Sequence, residues 1–510
     1  MRLIQTSTLN PKNLSPFDEL QIYNGLDSPI TLEIYEKLPR KDNSTYLFEI
    51  ALQAPILEMM MRGIKVDVPA RTAARAEVLA KIVSYEELLD YFGERLELLP
   101  VKKVKRDAGE HVPKFLNSRS GPQLKSFFYD YLGIPPIKVY AAGDVSLPMD
   151  EAVLTKLKEY TLARPVAVLV LEIRRLQEEY KRLKSDISSD GRAHTTYSIG
   201  VTTTGRLASS SWIDDTSQNL QNVAEELRHV YVADPGWKMG SIDKEQAESR
   251  IVGWICGTLF GDWKYLDFCE NRDVHTYVVR LVWPELPWTG DDKSDKKLAS
   301  DKKHPLATHG LSLRDKCKRI GHGANYYGTN RTLAAETFLP ERKVGEAVEI
   351  YFDEFKGIQK WQNYVIDRIK NEEPIITPFG WSRRFLKHPK SSSTWREAIA
   401  HGPQSAIAHM TNLGLFNVWS FFGHRIRLLL QNHDNIVFLF REDDDEDYIM
   451  SNAMKQFEVP LRCSARTMTI PGDAYVGYNW GYRKEVKDDA GNITSILNPS
   501  GLVHWEGRLD

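Results

Sequence analysis

The stretch "LLLQNHDNIVFLF", residues 428–440, constrains this chain more than any other. Two apolar runs, each short enough for a buried strand, flank a polar interruption. The pattern predicts a β-hairpin in a sheet built for burial, with His433 and Asp434 at or beside its tip. Asp and Asn are turn formers, so Asp434 by itself reads either as a turn residue or as a functional carboxylate.

A second carboxylate stands in "WKMGSIDKEQAESRIVGW". "MGSI" reads as a strand, Asp243 lies at its end, and a helix begins in "EQAESRIVGWI". An Asp at such a junction often only caps the helix. Two Asp at two strand ends of one sheet are different. They could hold two Mg²⁺ ions about 3.5–4 Å apart, which clamp the attacking and leaving oxygens of a phosphoryl transfer. Mg²⁺ takes hard oxygen ligands and usually only one or two carboxylates, with substrate phosphates completing its shell.

Cations are then required opposite a triphosphate. "RDKCKRIGHGANYYG" carries Arg314, Lys318, His322 and Tyr326 at four-residue steps. Each step turns the side chain by about 40°, so all four can share one broad face. Arg and Lys suit phosphate oxygens, and His and Tyr can stack on a sugar or base. A solvated cationic face is the plainer alternative. Gly321 and Gly323 each cost a helix about 1 kcal/mol, and we read them as marking close approach of a ligand or a moving helix.

The chain has 510 residues, room for two to four domains or subdomains. Its formal net charge of -2 means that a polyanion must be met by local basic surfaces. Cys256, Cys269, Cys317 and Cys463 are scattered without a CxxC pair, which argues against a disulfide framework and a zinc site. No apolar signal core or long apolar run occurs, so an intracellular, soluble protein is expected. Helical and strand-like regions alternate in blocks: helices to about 190, strands over 193–255, helices again to 390, then a helix and the hairpin. That order predicts an α+β sheet domain with helical inserts.

Three separated motifs now agree with one family. The chain resembles the family A DNA polymerases, most closely their bacteriophage members. "SIDKEQAESR" is similar to motif A, "RDKCKRIGHGANYYG" to motif B and "NHDN" to motif C. "HTTYSIGVTTTGRLASS", "QNLQNV", "DVHT", "FGWSRRF", "REAIAHGPQSA" and "GYNWG" surround them in order. The resemblance implies a right-hand fold, an antiparallel palm sheet with helical thumb and fingers. It divides the chain into an exonuclease-like remnant (1–45), palm-leading helices and thumb (46–190), palm (191–255), fingers (256–390), and palm with a C-terminal tail (391–510). The implied reaction is template-directed addition of dNTPs to a primer 3′ end. Two Mg²⁺ ions are the implied cofactor, with Mn²⁺ as a substitute, and primer–template DNA is the partner.

Carried over by position, Asp243 and Asp434 are the implied metal ligands, with a backbone carbonyl from Ile242 or its neighbours. Lys318, with these two Asp, is an implied catalytic residue. Arg314, Lys318, His322, Tyr326, His275, Gln246 and Glu248 would meet the dNTP, and Glu248 would close against a ribose 2′-hydroxyl. Arg206, Arg396, Gln404 and His433 would contact primer–template. Three positions depart from the family pattern. Asn435 stands where Glu usually follows the motif C Asp, His322 where Phe or Tyr is common, and Tyr327 where Gly usually follows the motif B Tyr.

"YNGLDSPITLEIYEKL" is similar to the last motif of the proofreading exonuclease, with Tyr23 and Asp27 in its Tyr-x-x-x-Asp pattern. One carboxylate cannot hold two metals, so we expect a structural remnant and no intrinsic proofreading; a separate exonuclease or a processivity factor is a conceivable partner. A viral origin, suggested by the resemblance alone, would place the protein in a host cytoplasm. "REDDDEDY" (441–448) reads as the start of a solvated helix, "KSDKKLASDKK" as a solvated fingers loop, and "KKVKR" (102–106) as a thumb contact to DNA or a plain loop. The tail after Gly481 has no functional reading. Rival readings are a single-subunit RNA polymerase, whose relatives carry a small residue in place of Glu248, and a silent subunit that only binds primer–template.

Overall fold

The structure is a computed structural model that describes residues 16–37, 44–98, 107, 109–141, 144–211, 217–488 and 492–507. The basic run 102–106 lies outside the described residues. Met1–Ala51 and Leu52–Asp510 form two compact units. In the first, a helix over Pro16–Lys37 carries Tyr23 and an exposed Asp27.

The second unit is built on five antiparallel strands: β1 (Trp237–Lys244), β2 (Ile426–Asn432), β3 (Asn435–Arg441), β4 (Gly472–Gly477) and β5 (Val503–His504), in the order β2-β3-β1-β4-β5. The expected hairpin is β2–β3, closed by the two-residue turn His433–Asp434 between the paired Asn432 and Asn435. Its apolar runs are buried because both faces are covered. On one face Phe438 packs so close to β1 that a Cβ on Gly240 would stand 2.5 Å from its ring. Met450, from the helix Glu446–Phe457, closes over the same point. On the other face Met239, Leu429, Leu430, Val437 and Leu439 share a core with Ile64, Val78, Leu220 and Trp480.

Two long helices, Val68–Arg95 and Arg164–Lys184, pack together and continue into a core of Leu89, Phe128, Val170 and Ile173. Between β1 and β2 in sequence comes a helical region with its own core, including Val278, Cys317, Ile320, Tyr351, Phe355 and Trp361. This is an α+β architecture, an antiparallel sheet with helical regions before it and between its strands.

Several local expectations change. The run 293–303 is not simply a loop, because Asp292–Ala299 is a helix capped by Asp291. Its Asp295 is fully buried, accepting from Thr289 and Gly290 and pairing with Arg280 at 2.5 Å. In "REDDDEDY" the helix does start, at Glu446, with Asp445 capping Tyr448 N at 3.0 Å. The tail after Gly481 is structured in its described part: Lys484–Lys487 pairs with Ile493–Leu497, and β5 joins the main sheet beside β4. All four cysteines are free thiols.

Candidate active site

The register of β1 places three polar side chains in one row across the sheet. Asp243 is paired with Asn435 of β3 on one side and with Asp473 of β4 on the other. Directly paired residues project to the same face, so all three face one way. Asp434 immediately precedes Asn435 in the turn. Asp243 is therefore a strand residue, and the cap of the following helix, Ala247–Phe260, is Gln246. Burial, then the charges of Asp434 and Asp473, push the Asp243 carboxyl up to about 7. Burial also raises Asp434 above the ordinary carboxylate range. Two like charges held this close are unfavourable by themselves, and a divalent cation between them would relieve the repulsion.

The turn is braced from below. Tyr197 donates its hydroxyl to the Gln431 carbonyl at 2.8 Å and accepts from Gln431 N at 3.0 Å. Gln221 donates to the Gln431 side chain at 3.2 Å. Both residues lie in the blocks "HTTYSIGVTTTGRLASS" and "QNLQNV", in which the resemblance assigned a task to Arg206 alone. His433 takes a left-handed φ of 58° at the turn. Asn435 donates to the Ser241 hydroxyl at 2.9 Å, so it is engaged within the sheet. Ile242 is fully buried between Ile436 and Ala474, with its backbone inside the ladder. Lys244 turns to the opposite face, where it donates to Phe457 O at 2.9 Å and lies over the Phe457 ring. Burial lowers its pKa to about 7.

Glu248 is the meeting point of three elements. It accepts from the Tyr326 hydroxyl at 2.9 Å, lies 3.5 Å from His322 Nδ1, and pairs with Arg206 at 3.6 Å. Burial opposes its ionisation, but the bonds from His322 and Tyr326 prevail and hold its pKa below the usual range. Along the helix Leu313–Asn325, Arg314 is held by Asp273 at 2.7 Å, and Asp273 also caps the helix Val274–Val282 through Thr276 N. His275, next on that helix, stacks toward His322 with ring centres 6.4 Å apart. Burial, then Arg314, lowers the His275 pKa to about 3, so it is neutral near pH 7. Lys318 is exposed and lines a cleft of about 650 Å³ with Lys302, Arg319, His322 and Tyr326.

The predicted dNTP residues thus form two groups, Arg314 with Asp273, and His275, His322 and Tyr326 with Glu248, joined through the helix that Asp273 caps, with Lys318 on the adjoining cleft. Gln246 sits at the helix start with a left-handed φ of 50° and a buried, unpartnered side-chain oxygen. Arg396 and Gln404 lie on the long helix Ser392–Phe422, Arg396 lining a second cleft with Tyr327 and Gly328.

Of the two motif B glycines, Gly323 needs no ligand to explain it. A Cβ on Gly323 would stand 2.1 Å from Leu333, and one on Gly321 would touch Tyr351 at 3.4 Å. Gly323 allows Leu333 to close on the helix, whereas a Cβ at Gly321 would meet only ordinary contact. Tyr327 occupies a left-handed φ of 61° just past the helix end, a position that favours Gly. Tyr351, Asn325, Tyr265 and Gln362 hydrogen-bond around that end and hold it in place.

Among the described residues, no three or more His, Cys, Asp or Glu side chains gather as a self-sufficient metal site, and no helix is long and apolar enough to cross a membrane. Two carboxylates with hard oxygens nevertheless fit Mg²⁺ that shares its shell with substrate phosphates.

The model of DNA polymerase family A matches residues 87–473. DNA polymerase I of Chloroflexus aurantiacus is 25% identical over 501 residues, covering 91% of this chain and 47% of that protein. The Pseudomonas aeruginosa DNA polymerase I is 27% identical, covering 91% and 48%, and the thermostable enzyme of Thermus aquaticus is 26% identical, covering 84% and 49%. The chain spans about half the length of these bacterial relatives. A solved structure described as the POL domain of Pol1 from M. smegmatis in complex with DNA primer-template and dNTP is similar in fold. Its TM-score is 0.63 at 23% identity, covering 84% of this chain and 69% of that one. With the family model spanning well over half the chain, this protein belongs to DNA polymerase family A.

Proposed function

We propose that this chain is a DNA-directed DNA polymerase that extends a primer 3′ end with dNTPs. The observation that carries the reading is the pairing of Asn435 with Asp243, which sets the Asp434 turn beside Asp243 at the open end of the sheet. Asp243 and Asp434 would hold two Mg²⁺ ions, with Mn²⁺ as a substitute. When bound, these supply charge stabilisation for the attacking primer hydroxyl and the leaving pyrophosphate. Arg314, Lys318 and neutral His275 bind the triphosphate; neutral His275 contributes a hydrogen bond and no charge. His322 and Tyr326 orient the sugar and base. Glu248, fixed by Tyr326, fills the space a 2′-hydroxyl would need. Arg206, Arg396, Gln404 and His433 hold the primer–template. Catalysis is largely positioning.

The phage-type affiliation belongs to this proposal and rests on the motif blocks. The domain division rests on the same blocks, and the expected lack of proofreading on Asp27 being one carboxylate where a metal pair needs several. Glu248 favours DNA over RNA synthesis. Primer extension with dNTPs, then NTPs, with and without Mg²⁺, tests the reading. No extension under any of these conditions would leave only a binding role.

A further inference from the structure

Asp473 was not singled out by any sequence motif, yet it is paired in register with Asp243. Its carboxylate is held at both oxygens. The Tyr475 hydroxyl donates to Oδ2 at 2.7 Å, and His504 Nε2 lies 2.8 Å from Oδ1. His504 belongs to β5, beyond the region matched by the family model. Tyr475 and His504 are themselves paired, their rings edge to face at 5.4 Å. On the opposite flank of Asp243 stands Asn435, a neutral side chain where the family pattern has Glu. The row therefore keeps one flanking carboxylate but carries it on the other neighbouring strand.

We propose that Asp473 is a positioning residue that raises the affinity of the Asp243–Asp434 pair for divalent cations, replacing the carboxylate that Asn435 lacks. This rests on the polymerase reading. Asp473 acts as a fixed negative charge beside Asp243, and Tyr475 and His504 keep it oriented. The other anionic neighbour of Asp243 is Asp434 in the turn; the charges of Arg228 and, from the opposite face of the sheet, Lys244 act against the repulsion.

The test uses the full chain and Mn²⁺ alone, titrated by electron paramagnetic resonance without nucleotide or DNA. Asp473→Asn keeps the side-chain shape and should weaken Mn²⁺ binding about tenfold to a hundredfold, the usual scale for a supporting partner of a ligand. The Mg²⁺ concentration for half-maximal primer extension should rise in parallel. Asn435→Glu in the Asp473→Asn background should restore most of the lost affinity. His504→Gln, on the exposed edge strand, should produce a smaller shift in the same direction. Unchanged Mn²⁺ affinity in Asp473→Asn overturns the proposal. So does a loss that Asn435→Glu fails to recover, because that would mark a purely structural role. Should Asp473→Asn not fold, by thermal melting, the His504→Gln titration decides alone, and no shift there overturns it. Failure of the unmodified chain to extend a primer would instead defeat the polymerase reading, which the Mn²⁺ titration does not use.

Discussion

The Tyr326 hydroxyl donates to Glu248 at 2.9 Å, tying the cationic helix to the helix that follows Asp243. In the proposed polymerase the bond fixes the carboxylate that would crowd a 2′-hydroxyl. Glu248→Ala should therefore admit ribonucleotides more readily, lowering the dNTP/NTP preference by roughly 10–100-fold, the range expected when a polar wall is removed. Tyr326→Phe keeps the carboxylate but frees it, and should give a smaller change. Single-nucleotide incorporation with matched dNTP and NTP measures both. A preference untouched by Glu248→Ala would place the gate elsewhere.

The paired carboxylates give a sharper expectation. Asp243→Ala or Asp434→Ala should each lower extension by about 10²–10³, the scale of losing one electrostatic stabiliser. Primer–template affinity, set by other residues, should hardly move. Full activity in either variant would refute the assignment.

His275 makes stability depend on pH. Its folded pKa of about 3 lies below the unfolded value of 6.5. Between those values the unfolded chain binds the proton and the folded chain does not, so stability falls as pH drops from 6.5 toward 3. His275→Gln should flatten that part of the thermal-melting profile. An identical acid slope in the variant would show that His275 is not the group responsible.

The 510-residue chain should not shorten a mismatched, 5′-labelled primer in Mg²⁺ without dNTP. A two-metal exonuclease needs converging carboxylates, and Asp27 is an exposed helical residue. Shortening abolished by Asp27→Ala would reverse that reading.

The sequence announced those parts of the fold in which local pattern and tertiary need agree. The 428–440 hairpin was legible because its apolar runs and its turn both point to burial, and Asp243 because a strand signal ends at it. Gly323 misled, since helix propensity cannot say whether a missing Cβ makes room for a ligand or for Leu333. Asp295 was read as part of a solvated loop because a buried Asp and an exposed one are the same letter; only Arg280 and the Thr289–Gly290 amides distinguish them. Asp473 was invisible for a different reason. Its place beside Asp243 is a matter of strand register, which links positions 230 residues apart and leaves no local trace.

The short strand β5 also has a protective consequence. Without Val503 and His504, and without the bond from Trp505 N to Ala474 O at 2.8 Å, β4 would be the outermost strand, offering unpaired backbone around Ala474–Val476 to another molecule. A two-residue border is too brief to template such growth. Deleting residues from Val503 onward should therefore increase self-association through the sheet margin, read as a larger species by size-exclusion chromatography.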